Sequence, residues 1–514
     1  MAHADPSSEL ATKPLGRLLL RFAIPSIFAQ IVNLLYNIVD RIFVGRIPEI
    51  GPLALAGLGV AFPIILIISS FSFLAGMGGA PLASIAMGRG DNAKAERILG
   101  SACVFLLAMS VVLTVLCFWA MRPMLLMFGA SEQTIGYAVD YFSLYLLGTP
   151  AVQLSLGLNY YISCQGFAKT SMMTVLIGAA LNIILDPIFI YGLDMGCKGA
   201  ALATICSQAV SAVWIFAFFF GKRTVLHFRR QYLRLDLKEL VPVILLGLSP
   251  FFVQVTDCIV PLVMNAGMQQ YGNDYYVGTM TVMFSIEQLL RLPADGLCQG
   301  AVPIMSYNYG AGKPERVKKT FFLILAFSFG FTTIASWLIL LFPKTFIMPF
   351  TDSQRLIEIT IPAIRIYFGG MMFIGVLYAC QRTFMALGRT KLSLLGAMMR
   401  KLVILLPLCF VLPRLGYGTD GLLYAECIAD VLGSAIVFAI FIWNFKSTLK
   451  TPYRYKRPSQ AFQRPARFPD TYPYTAQGPK RQRRKAVSNH WQKGRTCFSP
   501  PRLTPSLELQ SGLP

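Results

Sequence analysis

Charge is scarce in this chain. Only 14% of its 514 residues are Asp, Glu, Lys or Arg, against 55% apolar, where a soluble protein carries about 25% charged residues. Histidine is scarcer still. His3, His227 and His490 are the only three, and none falls in a long apolar run, which argues against haem, di-metal or HExxH-type chemistry in the apolar body. GxSxG, HExxH and paired-cysteine signatures are absent, so no enzyme is expected. The eleven cysteines are scattered, without metal-ligand spacing, and read as small apolar filler. The opening MAHADPSSELATK lacks a basic region followed by a short apolar core and a cleavage site, so no cleaved signal is expected.

Long apolar runs are what the chain has instead. A bilayer-spanning helix needs roughly 20 mostly apolar residues. Twelve such runs lie at about 17–43, 53–78, 99–121, 138–162, 172–193, 199–221, 241–267, 277–307, 320–343, 358–385, 393–413 and 420–445. An all-α polytopic membrane protein is expected. Its basic residues are shared unevenly between alternate loops. One set, from Arg89 to Lys391, holds 17 Lys or Arg, and the other, from Arg41 to Arg414, holds 7. The positive-inside rule puts the richer set and both termini in the cytoplasm. The formal +22 charge then reports topology, and no nucleic-acid partner is expected. Half of that charge sits in residues 451–514, with 13 Lys/Arg and 2 Asp/Glu. This Pro-, Ser- and Arg-rich tail reads as disordered. Its RQRRK run at 481–485 suits anionic headgroups, although a solvated tail is the simpler expectation.

The body repeats itself. GGAPLASIAMGRGDNAKAER begins at Gly78 and GAVPIMSYNYGAGKPERVKK at Gly300. Gly78/Gly300, Pro81/Pro303, Ser84/Ser306, Gly88/Gly310 and Gly90/Gly312 share one offset of 222 (310 − 88). The same offset pairs Tyr145/Tyr367, Gly148/Gly370, Gly166/Gly388, Lys169/Lys391 and Gly199/Gly421. Each repeat holds six spans, and an even number returns the chain to its starting side. The expectation is two six-helix bundles related by a pseudo-two-fold axis along the membrane normal, with a cleft between them. The divisions expected are an N-terminus 1–16, an N-lobe 17–221, a linker 222–240, a C-lobe 241–447 and a tail 448–514.

Polar groups inside the runs mark the candidate site, because a mid-bilayer charge costs roughly 2.5–3.5 kcal/mol on insertion scales. In AQIVNLLYNIVDRIF, residues Gln30, Asn33, Asn37 and Asp40 are spaced 3, 4 and 3, which places them on one helical face. Asn182 and Asp186 are likewise i,i+4. Pro187 follows at once, where it removes a backbone donor and favours a kink. Carboxylate, amide and a freed carbonyl suit a proton or a small hard cation, with a hydrogen-bonded structural kink as the plainer alternative. Gln254 and Asp257 lie on the seventh run. Glu287 and Arg291 on the eighth are i,i+4 and could simply neutralise each other. Arg365, Arg400, Lys401, Glu426 and Asp430 stand nearer run ends, where snorkelling is expected. Abundant Phe, Met and Tyr (38, 21 and 21) suit lipid-facing and core positions and an adaptable cavity.

NIVDRIFVG, GRGDNAKAE, YNYGAGKPERV, CQGFAKT, ALGRTK and LNIILDPIFIYGLDMGCKGAALAT together resemble the MATE (multidrug and toxic compound extrusion) family, most of all its MepA-like bacterial branch. The resemblance covers about 15–448. It implies a bacterial inner-membrane antiporter that expels organic cations and other drugs in exchange for H⁺ or Na⁺. It places that family's N-lobe cation site on Asp40, Asn182 and Asp186. A seventh-span carboxylate of the NorM branch falls on Asp257, but 361–385 contain no acid to match that branch's tenth-span Asp, so coupling through the N-lobe is expected. Gln30, Asn33, Asn37, Asp257, Glu287 and Arg291 would add to the polar cavity. No cofactor beyond the coupling ion is expected, no firm metal site beyond Na⁺ at the three N-lobe residues, and a monomer in the bilayer. The rival is a flippase for lipid-linked saccharides. Its cavity would be strongly cationic, and Arg291 and Arg365 keep it in view. By the 222 offset, Asn182 and Asp186 fall opposite Ile404 and Leu408, so the second half keeps the helix and drops the polar pair.

Overall fold

The computed structural model describes residues 6–450. A short helix α1 (Pro6–Thr12) precedes α2 (Leu15–Gly45), α3 (Gly51–Gly88), α4 (Asn92–Trp119), α5 (Met121–Met127), α6 (Ile135–Leu147), α7 (Thr149–Cys164), α8 (Ala168–Pro187) and α9 (Gly196–Phe220). The second half holds α10 (Leu237–Tyr271), α11 (Asp274–Gly310), α12 (Pro314–Leu341), α13 (Pro343–Ile347), α14 (Gln354–Tyr367), α15 (Ile374–Ala386), α16 (Thr390–Met398), α17 (Leu406–Leu412) and α18 (Gly418–Lys450). π-helical turns occupy Ile188–Gly192, Met399–Leu405 and Pro413–Tyr417. Pro187 therefore leads into a π-helical turn, one of the recognised sources of a helix bend.

Among the described residues twelve crossings result, six per half. Eight stretches there are long and apolar enough on their own. The longest, Thr390–Phe445, contains two crossings joined where Gly416 leaves helical geometry. Gln354–Tyr367 and Met371–Ala386 form one crossing bent by 49°. α6 and α7 meet at Gly148 as another, and α11 crosses despite its polar residues. Leu20, Ile24, Val115, Ile334 and Trp443 are exposed, as expected of side chains that face lipid. α10 begins at Leu237, inside the stretch 222–240 expected as linker. Most of the tail lies outside the described residues.

The internal repeat is visible in the helix ends. α4 and α12 are both 28 residues long, and they start 222 positions apart (314 − 92). The glycines of the repeated motif have separate jobs. Gly90 and Gly312 take φ of 78° and 69°, a conformation in which a side chain is strained. Gly88 and Gly310 allow close approach. A Cβ on Gly88 would lie 2.2 Å from the Tyr307 carbonyl oxygen, and one on Gly310 would lie 2.1 Å from that of Ile85. Since 307 − 222 is 85, these are one contact seen twice. The pseudo-two-fold relation runs between α3 and α11 at this basic-loop end.

Two leader segments strap this end. α1 reaches the second half, where Asn308 Nδ2 donates to the Leu10 carbonyl (2.9 Å), as does Arg316 (3.2 Å). The linker reaches the first half. Arg229 Nε bonds Glu96 at 2.6 Å, and the Ser101 hydroxyl donates to the Arg234 carbonyl at 3.0 Å.

Candidate functional site

A cavity of about 1040 Å³ lies between the halves, lined by α2, α3, α6 to α11, α15, α18 and the π-helical turn after α16. Its lining reaches Pro81 and Pro303 at one end and Asp40, Arg41 and Phe350 at the other. Beyond the two prolines the Gly88–Gly310 contact closes the helices together. Near the closed end Gln30 Nε2 donates to Gln299 Oε1 across the halves (3.4 Å). Arg382 pairs with Asp295 there at 2.6 Å.

Gln30, Asn33, Asn37 and Asp40 all line the cavity. Their 3-4-3 spacing turns one face of α2 toward it. Asn37 Nδ2 donates to the Asn33 carbonyl at 2.6 Å. Asp40 is buried at the far end of this stripe. Asn182 and Asp186 are buried more deeply, behind the wall. Asn182 Nδ2 donates to Asp186 Oδ1 at 3.2 Å and approaches Thr204 Oγ1 at 3.5 Å. Asp186 lies within electrostatic range of Asp40, so the fold brings α2, α8 and α9 together at one acidic point.

Asp40 Oδ1, Asn182 Oδ1 and Asp186 Oδ2 are buried acceptors without a hydrogen-bond partner among the described residues. Among the described residues no Lys or Arg forms an ion pair with either acid. The neighbouring Arg41 lies over the Phe62 ring, 4.3 Å from its centroid, and reaches Asp40 only through space, without an ion pair. Burying such acceptors is costly unless something electropositive meets them. The arrangement therefore suits a proton or a hard cation with oxygen ligands. Thr204 went unnoticed in the sequence, because a lone threonine in an apolar run carries no spacing signal.

The second half treats charge differently. Arg400, Lys401, Glu426 and Asp430 are all buried, so the snorkelling expectation is wrong for these four. The π-helical turn that carries Arg400 and Lys401 packs between α10 and α18, and these charges find partners inside rather than reaching the interface. Arg400 holds Glu426 and also Asp430, the latter at 2.5 Å. Lys401 pairs with Asp257, which Arg291 also approaches at 3.4 Å. Arg291 meets Glu287 at 3.0 Å and donates to the Tyr378 hydroxyl at 2.6 Å. The Tyr367 hydroxyl donates to Glu287 at 2.5 Å. The Glu287–Arg291 pair thus belongs to a larger network. Only Arg365 among the five stays exposed, away from the cavity lining.

The 222 offset maps part of this network onto the first half. Glu426 stands opposite Thr204, Asp430 opposite Gln208, and Tyr367 opposite Tyr145. The second half does drop the polar pair at Ile404 and Leu408, but it places four charges in the equivalent region of its own bundle.

Known proteins agree with this architecture. The chain is 24% identical over 426 residues to the multidrug export protein MepA of Staphylococcus haemolyticus (strain JCSC1435), covering 82% of this chain and 93% of that one. It is 22% identical over 441 residues to MepA of Staphylococcus aureus (strain MRSA252), covering 85% and 96%. Among solved structures, a MATE protein in its bent conformation superposes with a TM-score of 0.81 at 22% identity, over 87% of this chain and 99% of that one. An outward-facing multidrug resistance MATE transporter of the MOP superfamily gives 0.78 at 22%, over 86% and 98%. The MatE profile matches twice, at residues 25–188 and 250–411, once in each repeat. The chain belongs to the MatE family.

Proposed function

We propose that this protein is a secondary active multidrug efflux transporter, exporting organic and often cationic compounds by antiport with H⁺ or Na⁺. The observation that carries this reading is the buried Asp40–Asn182–Asp186 cluster with its unpartnered oxygens. Two close carboxylates without a basic partner hold one proton more firmly than either alone. With Asn182 and Thr204 they also offer oxygen ligands to a hard cation. The relatives' description as multidrug exporters supports the choice of cargo. The aromatic and amide lining of the cavity, including Tyr36, Phe73, Phe284, Tyr378 and Gln254, supports it too.

The geometry supports one mechanism for this exchange. The basic-loop end is closed by Gly88 and Gly310, and the cavity extends the other way, which supports an outward-open reading. A proton or cation arriving from outside neutralises Asp40 and Asp186. Asn182 Nδ2 then loses its charged acceptor, and α8 can bend at Pro187 and the π-helical turn that follows. That movement reshapes the cavity wall and releases cargo outward. The protein would sit in the bacterial plasma (inner) membrane with both termini cytoplasmic, as a monomer, and needs no cofactor beyond the coupling ion. A lipid-pyrophosphate flippase is disfavoured, because the cavity's second-half basic residues Arg291, Arg382, Arg400 and Lys401 each contact an acid. The decisive test is drug transport in proteoliposomes under an imposed pH gradient, then under an imposed sodium gradient. One gradient should drive accumulation, and indifference to both would exclude antiport.

A further inference from the structure

Lys401 lies between two acids. Its ammonium is paired with Asp257 on α10. Glu426 of α18 lines the same cavity and is bonded by Arg400, the residue before Lys401. One Glu426 oxygen takes Arg400, but the other, Oε2, is buried and has no hydrogen-bond partner. That oxygen is an acceptor on the neighbouring helix with no bond to lose. Arg291 has no such freedom, since Glu287 and the Tyr378 hydroxyl both hold it.

Asp257 is also the acid of this network most open to the cavity. Its side chain is 27% exposed, against 8% for Glu287 and 3% for Glu426 and Asp430. Gln254, Pro261, Phe284, Gln288 and Tyr378 line the same cavity, a mixture of π faces and amides that suits a lipophilic cation. The charge count points the same way. With every group ionised, Asp257, Glu287, Glu426 and Asp430 face Arg291, Arg400 and Lys401. Four acids against three bases leave one negative charge over. A single added positive charge neutralises the network, and two would overshoot.

We propose that Lys401 is an internal counter-ion that holds the Asp257 carboxylate when cargo is absent and yields it to a monovalent lipophilic organic cation by moving onto Glu426 Oε2. Asp257 is then a cargo subsite in the second half, and Lys401 is the residue that sets its preference for one positive charge. The inference rests on the efflux reading above, in which organic cations are cargo, and adds where they bind and what they compete with.

The test is equilibrium binding of tetraphenylphosphonium to the full-length protein in nanodiscs. Lys401→Met removes the competitor and should tighten binding about tenfold. Asp257→Asn should weaken it about tenfold, and Lys401→Met should no longer tighten binding in the Asp257→Asn background, a coupling that independent sites do not show. Lys401→Arg keeps the charge, grips a carboxylate more firmly, and should weaken binding at least threefold. If a folded Lys401→Met binds no tighter than wild type, the proposal is wrong. If Lys401→Met does not fold, unchanged affinity in Lys401→Arg overturns it equally. A wild type that binds while Lys401 variants match it sinks only this inference. Absence of binding by wild type and every variant sinks the efflux reading as well.

Discussion

The two halves share one helical plan and handle buried charge in opposite ways. In the first, Asp40 and Asp186 lie within electrostatic range of each other, with no ion-paired base and with unpaired oxygens among the described residues. In the second, every buried acid of the network touches a base or a tyrosine. Removing one partner of a buried ion pair leaves an uncompensated charge and is strongly destabilising. Removing a charge that had no partner carries no such penalty. Acids in one half are therefore available for exchange with solvent ions, while those in the other hold helices together around a single half-buried carboxylate, Asp257.

Arg400 gives the largest expected break in this comparison. Arg400→Met strands Glu426 and Asp430 in the interior and should cost about 3–5 kcal/mol, read as a large fall in thermal unfolding temperature in detergent. Melting close to wild type would mean that these charges are not structural. The next test concerns where the halves are alike. Gly88→Ala and Gly310→Ala each drive a Cβ into a carbonyl of the opposite helix, and overpacking of this kind costs about 1–3 kcal/mol. Because the two contacts are one contact repeated, both variants should weaken closure equally. Cysteine accessibility at the basic-loop end measures this, and a large inequality would break the symmetry argument. Third, Asp186→Asn should lower gradient-driven efflux at least tenfold, about 1.4 kcal/mol, with thermal stability unchanged or raised. Intact efflux in that variant would make the first-half acids as structural as those of the second.

Much of this contrast was readable in the chain. The repeat shows because close helix contacts and positive φ admit few residues, so Gly88, Gly90, Gly310 and Gly312 stand out at one offset. The stripe on α2 shows because its residues follow the helical period. The second network does not show, because Arg400 meets Glu426 and Asp430 across separations of 26 and 30 residues. No local period encodes such a pairing. Positions near run ends also suggest snorkelling unless the packing of the π-helical turn between two helices is known. Thr204 is silent for a related reason, since its partner Asn182 is 22 residues away.

The smallest effect concerns the straps, which again differ between halves. The strap onto the second half carries Glu9 in α1, outside the spans, bonded to Lys13 at 2.7 Å and Arg21 at 2.5 Å. Its hydrogen bond to Lys13, and then Arg21, hold this carboxyl below its usual value of 4.5 despite some burial. A depressed carboxyl stabilises the fold fully above the unfolded value and loses that contribution as pH falls through the folded one. Protection of α1 amides from hydrogen exchange should therefore be flat from neutral pH down to about 5 and should decline below 4.5. The decline should be modest, because Lys13 and Arg21 are 46% and 40% exposed and water screens them. Glu9→Gln should start less protected at neutral pH and lose the acid step. If the variant keeps that step, the pH response comes from another group and the strap is held by Asn308, Lys313 and Arg316 alone.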